Sequence, residues 1–205
     1  MPGPVRVLLW DCDGVLQHGR FDWRRRLDAR VRPGFARRVF EAELPALRGE
    51  RSLRDVLSQL LEEERREHGD PGVTLEDLLD LWEQFDVDPE AVDLLREVRA
   101  GGIRCLFATN QQDYRVEFMR RVGTYLDLVD GAYWSSRMGA MKPDRAFFEH
   151  IVADLGLPAH EIGFVDDVPA NVEAARAVGI RAVRHDPMSG AQGLRETLRP
   201  LIGDR

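Results

Sequence analysis

Short apolar runs alternate along the chain with stretches whose apolar residues recur every three or four positions. Val5 to Trp10 is the first such run. It stops abruptly at Asp11, Cys12, Asp13 and Gly14, the pattern of a buried strand with polar residues at its tip. From about Gln17 to Phe85 the pattern turns Arg-, Glu- and Leu-rich with helical spacing and no strand signal, which predicts an all-helical insertion. Ser52 opens one helix ahead of Leu53, Val56, Leu57, Leu60 and Leu61, with Asp55 placed for a capping-box-like start. Thr74 and Asp77 open another, whose stripe is Leu75, Leu78, Leu79, Trp82 and Phe85. A weaker helix is expected from about Pro33 to Glu43.

Beyond Asp88 a strict alternation begins. Pro89 stands at a favoured first helical position, Ala91, Leu94, Leu95 and Val98 form the stripe, and Gly101 with Gly102 end it. Strands are predicted at Ile103 to Ala108, Leu128 to Trp134, Ile162 to Val165 and Ile180 to Arg184. Helices are predicted around Val116 to Val122, Pro143 to Leu155, Pro169 to Val178 and Gly190 to Ile202. This order implies an α/β fold with a Rossmann-like parallel sheet. Residues 1–16 and 87–205 would form the core and 17–86 the helical insertion.

Composition narrows the class. In 205 residues, 43% apolar content is enough for one core and a smaller appendage. The net charge of −7 has the wrong sign for a protein that coats phosphate backbones, so nucleic acid is not an expected partner. No run approaches the roughly 20 apolar residues that cross a bilayer, and the start lacks a signal-type segment, so a cytoplasmic protein without membrane partners is expected. Cys12 and Cys105 lie inside apolar runs and read as reduced, small hydrophobes.

In a parallel sheet, ligands collect at the carboxyl ends of the strands. Asp11 and Asp13, Thr109, and the pair Asp166 and Asp167 all end predicted strands, and Lys142 sits in a loop able to reach the same rim. Carboxylates gathered in one pocket repel one another, and a hard cation with oxygen ligands relieves them; Mg²⁺ is the natural candidate. Mg²⁺ takes few protein carboxylates and completes its shell with water and phosphate oxygens, so a phosphorylated small molecule is the expected substrate. Thr109 and Lys142 supply donors for phosphoryl oxygens, one carboxylate can act as nucleophile, and a second two residues away can serve as acid and base.

The segments DCDGV (Asp11 to Val15), FATN (Phe107 to Asn110), MKPD (Met141 to Asp144) and GFVDD (Gly163 to Asp167) resemble, in order and spacing, the four motifs of the haloacid dehalogenase (HAD) superfamily. The stretch FVDDVPANVEAARAVGI is similar to its phosphatase branch with a small helical cap between the first two motifs. The resemblance implies a Mg²⁺-dependent phosphatase working through an aspartyl-phosphate. It makes Asp11 the nucleophile and Asp13 the acid and base, and it assigns the phosphoryl group to Thr109, Asn110 and Lys142. The metal falls to Asp11, Asp13, Asp166 and Asp167, with Asp13 contributing its backbone carbonyl, Asp167 matching the direct ligand more closely and Asn171 supporting the shell.

Alternatives remain open at this level. A phosphomutase uses the same residues, and a haloacid dehalogenase is disfavoured because family dehalogenases lack the second carboxyl group held here by Asp13. A non-catalytic binding protein has no need of both Asp11 and Asp13. Within the insertion, Arg24, Arg25 and Arg26 read as a solvated face, His18 as a solvated loop residue and Cys12 as filler. Trp23 is a pocket candidate, whereas the helical spacing of Trp82 and Phe85 points to core. Substrate identity and oligomeric state do not follow from the sequence.

Overall fold

The structure, a computed structural model, describes residues 3–122 and 127–203. The chain opens on β1 (Val7–Trp10), leaves the sheet through β2 (Gln17–Gly19), and returns through β3 (Phe85–Val87). Between them lie α1 (Trp23–Arg30), α2 (Phe35–Leu47), α3 (Leu53–His68), α4 (Leu75–Leu79) and a 3₁₀ turn at Asp80–Glu83. After β3 come α5 (Pro89–Ala100), β4 (Arg104–Thr109), α6 (Asp113–Arg121), β5 (Ala132–Trp134), α7 (Ser135–Met138), α8 (Arg145–Leu155), β6 (Ile162–Asp166), α9 (Pro169–Ala177), β7 (Arg181–Arg184) and α10 (Gly190–Ile202).

Five strands pair in the order β5-β4-β1-β6-β7, every pairing parallel. The central strand β1 is buried on both faces, which explains its unbroken apolar run. Its alternate residues serve two cores. Leu8 and Trp10 pack with Leu94 and Leu95 of α5, Val116 and Met119 of α6, and Leu194 and Leu198 of α10. Val7 and Leu9 face the opposite layer, with Phe147, Phe148 and Ile151 of α8 and Val172 of α9. Truncating a side chain as enclosed as Leu9 to Ala would cost about 2–5 kcal/mol.

Register places the strand tips together. Trp10 is level with Phe107 on β4 and with Val165 on β6, so the next residue, Asp11, falls beside Asp166 and one position short of Thr109. The Asp11 amide donates to the Val165 carbonyl at 3.0 Å, extending the ladder into the site.

The insertion builds its own core from Leu27, Phe35, Val39 and the α3 stripe Leu53, Val56, Leu57, Leu60 and Leu61, closed by Leu78, Leu79 and Leu81. Its helices start as the sequence suggests. The Ser52 hydroxyl accepts from the Asp55 amide, and Thr74 and Asp77 cap each other reciprocally. Other details differ. The interval from Gln17 to Phe85 is not free of strand, because β2 and β3 pair antiparallel at its two ends. Phe85 therefore lies on β3 and not on a helical stripe. Helix α1 has no counterpart in the sequence reading; it buries only Leu27, too little to leave a periodic signal. The expected strand from Leu128 is confined to Ala132–Trp134, and the α8 helix begins after a cis Lys142–Pro143 bond.

The insertion touches the sheet layer at several points. Leu53 N–H donates to Asp113 at 3.0 Å, Arg48 pairs with Asp144 at 3.1 Å, and Arg115 donates to the Trp82 carbonyl at 2.7 Å. No helix among the described residues is long and apolar enough to cross a membrane.

Candidate active site

At the carboxyl rim, oxygens of Asp11, Asp166 and Asp167 lie within 4.8 Å of one another. Lys142 is driven into this group from the loop before α8, with Nζ 2.8 Å from Asp11 Oδ1 and 2.6 Å from Asp166 Oδ2. Asn171, on the first turn of α9, donates to both Asp166 oxygens at 3.0 Å, and the Val168 amide adds a bond of 2.8 Å to Oδ1. Asp166 is thus fixed from three sides. The Asp167 carboxylate lies where Gly14, at φ +79°, leaves room; a Cβ at Gly14 would come within 2.6 Å of it. A cavity of about 290 Å³ opens over the cluster, lined by Asp11, Asp13, Gly14, Thr109, Asn110, Lys142, Asp167, Val168 and Asn171.

The electrostatics follow from burial and charge count. Burial raises the Asp11 pKa, Lys142 opposes the rise, and Asp166 and Asp13 add to it. Asp167 is also pushed up, by burial first and Asp166 second. Burial pulls Lys142 down, but Asp11 and Asp166 outweigh it, so its net shift is upward and it stays charged. One ammonium faces three carboxylates. That uncompensated negative charge, on oxygen donors alone, is the donor set of a hard divalent cation such as Mg²⁺.

The Asp13 carboxylate is not one of those three oxygens. Gln17 Nε2 donates to its Oδ1 at 2.5 Å and Gln111 Nε2 to its Oδ2 at 2.7 Å, so both oxygens are held by amides. Gln111 also reaches the Thr109 hydroxyl at 3.2 Å, tying two site residues through one side chain. The Asn110 side chain clamps the Lys142 backbone, donating to its carbonyl at 2.8 Å and accepting from its amide at 2.9 Å. Asp11 Oδ1 accepts from the Cys12 amide at 2.8 Å as well as from Lys142; its Oδ2 takes no hydrogen bond among the described residues. Burial, then Asp11 and Asp13, push the Cys12 thiol well up, so it is no thiolate.

All of the sequence-derived candidates therefore meet at one rim: Asp11, Asp13, Thr109, Asn110, Lys142, Asp166, Asp167 and Asn171. Sequence reasoning missed Gln17 and Gln111, both buried. The signal was available only as position, since Gln17 follows Asp13 by four and Gln111 directly follows Thr109 and Asn110. A second cavity of about 380 Å³ adjoins the first between insertion and sheet layer, with Asp13 and Asn110 in the walls of both. Trp23, Trp82 and Phe85 line it, so the two aromatics read as core also face open space.

With this geometry in view, kinship becomes informative. Residues 5–179 match the model of the haloacid dehalogenase-like hydrolases, and the chain belongs to that family. A sesquiterpene phosphatase of Aspergillus oryzae is 37% identical over 93 residues, 45% of this chain and 47% of that protein. A protein of Mycobacterium tuberculosis named as a phosphatase is 33% identical over 95 residues, 46% and 44% of the two chains. The aligned stretch thus spans about half the length of these curated relatives. Among solved structures, a HAD family enzyme of Bacteroides thetaiotaomicron in complex with magnesium and inorganic phosphate superposes with a TM-score of 0.71. It is 20% identical and covers 88% of this chain and 94% of its own. At that identity the likeness establishes the fold, an α/β core with a helical insertion after the first strand.

Proposed function

We propose that the protein is a Mg²⁺-dependent phosphatase that hydrolyses a small phosphate monoester through an aspartyl-phosphate on Asp11. The observation that carries this reading is the pairing at the rim of Asp11 with Lys142 and two further carboxylates, beside Asp13 held by two glutamines.

Lys142 and the Cys12 amide bind Oδ1 of Asp11, leaving Oδ2 to attack phosphorus. As the new O–P bond forms and the ester bond breaks, Asp13 gives its proton to the departing alkoxide. The resulting Asp13 carboxylate then takes a proton from water, whose oxygen displaces Asp11 from phosphorus and frees inorganic phosphate. Gln17 and Gln111 aim Asp13 for both transfers. Thr109 and Lys142 hold the non-bridging oxygens, and the Asn110 clamp fixes the loop that carries Lys142. Asp11, the Asp13 carbonyl and Asp167 would hold the cation, which would supply charge neutralisation for the approach of two anions. Asp166, saturated by Lys142, Asn171 and the Val168 amide, fits an indirect role. The insertion at 17–86 would act as a cap over the site, in a cytoplasmic protein with no nucleic-acid partner.

The test is phosphate release from p-nitrophenyl phosphate. Mg²⁺ should be required, EDTA should abolish activity reversibly, and Asp11→Asn should lower the rate by on the order of 10³-fold or more. Parental activity in Asp11→Asn would end the aspartyl-phosphate scheme. A phosphosugar converted to its isomer without inorganic phosphate would identify a mutase instead.

A further inference from the structure

The larger cavity is built for something unlike the phosphate site. Three aromatic rings form one wall, with Trp23 centred 5.3 Å from Trp82 and 5.4 Å from Phe85. Phe40 and Leu47 continue the apolar surface. Trp23 comes this close to the end of β2 because residue 19 is glycine; a Cβ there would lie 2.6 Å from the indole nitrogen. Its ring is only partly covered, so apolar surface faces space beside Asp13.

One acid interrupts this surface. Glu43, on α2, is 6% exposed and lines the cavity. Its Oε1 accepts from Trp82 Nε1 at 3.0 Å, while Oε2 takes no hydrogen bond among the described residues. Burial pushes its carboxyl up to about 7, the Trp82 bond and Asp13 acting in opposite senses. With no donor on it among the described residues, Oε2 is open to a donor carried by an occupant of the cavity. The Arg115 guanidinium, laid 3.7 Å from the Phe85 ring centroid and bonded to the Trp82 carbonyl, stands in the same wall. Asp13 marks the phosphate end of this wall, and at the far end the Arg115 guanidinium offsets Glu43 and repels an ammonium, which favours a neutral occupant there. A sugar would bring several hydroxyls to a cavity walled mainly by rings and aliphatic side chains, where Asn110 and Gln111 are engaged with Lys142 and Asp13 and the Gln112 amide is left to meet them.

We infer that this cavity seats the organic part of the substrate, a predominantly apolar alcohol carrying a hydroxyl remote from the phosphate, and that Glu43 Oε2 accepts from that hydroxyl. The inference rests on the phosphatase reading for the location of the phosphoryl group. Glu43 is here a specificity-determining residue.

The test uses phosphonates, which bind without being cleaved. At pH 8, where Glu43 is ionised and Oε2 can only accept, the Mg²⁺-supplemented full chain is titrated with alkylphosphonates of four to ten carbons, their ω-hydroxy, ω-methoxy and ω-amino counterparts, and the phosphonate analogue of glucose 6-phosphate. Dissociation constants come from tryptophan fluorescence and calorimetry. The best ω-hydroxy compound should bind at least about tenfold tighter than the sugar analogue and tighter than its amino counterpart. Glu43→Leu should shrink the preference for hydroxy over plain alkyl by about fivefold. Should that variant fail to fold, Glu43→Gln decides, because its amide N–H₂ should shift preference from hydroxy toward methoxy. Equal or tighter sugar or amine binding, or preferences unmoved by both substitutions, overturns the assignment. A protein that binds as expected yet releases no phosphate from p-nitrophenyl phosphate keeps this assignment and loses the phosphatase reading; hydrolysis without the preference does the reverse.

Discussion

Two buried clusters of charge, one at the rim of the sheet and one inside the insertion, are solved in opposite ways. In the insertion, Glu64 is 1% exposed and is gripped by Arg32 through bonds of 2.6 and 3.0 Å, with Arg38 closing on it from α2 and also reaching Glu63 at 2.8 Å. Burial raises the Glu64 pKa, but the arginines win and the net shift is downward. At the rim, three carboxylates share one lysine, and both Asp11 and Asp167 are driven up. The first cluster is complete in itself and holds helices together. The second is complete only with a cation, and incompleteness of that kind is the mark of a binding site. Glu43 stands between them, buried with an indole N–H as its single hydrogen-bond donor among the described residues.

The contrast can be broken most sharply at Glu64. Glu64→Ala leaves Arg32 without its acid and Arg38 with Glu63 and Glu67 alone, and should lower unfolding free energy by about 3 kcal/mol while leaving the Mg²⁺-induced shift in Tm intact. A neutral effect on urea midpoint would show that this pair is ornamental.

Glu43 comes next in size. Its folded carboxyl keeps a proton up to about 7, whereas the unfolded one releases it near 4.5, so the folded chain binds more protons and stability falls as pH rises through that window. Glu43→Gln removes the loss. Relative to the parent it should be nearly neutral at pH 4.5 and gain up to about 3 kcal/mol at pH 8, read as urea midpoints at the two pH values. A pH-independent difference would mean that Glu43 finds a cation in solution.

At the rim, Mg²⁺ at a hundredfold its Kd should stabilise the parent by about 2.7 kcal/mol, visible as a rise in Tm. Asp167→Asn should show a much smaller response and, by relieving repulsion, a slightly higher Tm without metal. A fall in metal-free Tm would place Asp167 with Glu64 among structural acids.

What could be read beforehand follows from how residues announce themselves. A carboxylate ending an apolar run has no packing reason to be there, and Asp11, Asp166 and Asp167 were legible on that ground, as were the Leu stripes of α3 and α5. Gln17 and Gln111 were not, because a neutral amide gives no warning until its partner is in view. Nor were β2 and β3, three residues each and paired across the whole insertion, where no alternation is long enough to register. Phe85 fell into the wrong element for the same reason. Trp82 was rightly placed in the insertion's core, yet its indole N–H also steadies the acid of the larger cavity.

The pairing of β2 with β3 brings the outgoing and returning paths side by side, Gly19 opposite Phe85. Facing residues of such a pair stand about 5 Å apart, a gap that a two-residue turn spans. All five strands of the parallel sheet lie outside residues 20–84, so excising that segment and closing the ends with such a turn would remove none of them. Transplanting a different segment at the same junction would give the carboxylate rim a new roof while keeping the strand tips that carry Asp11 and Asp166.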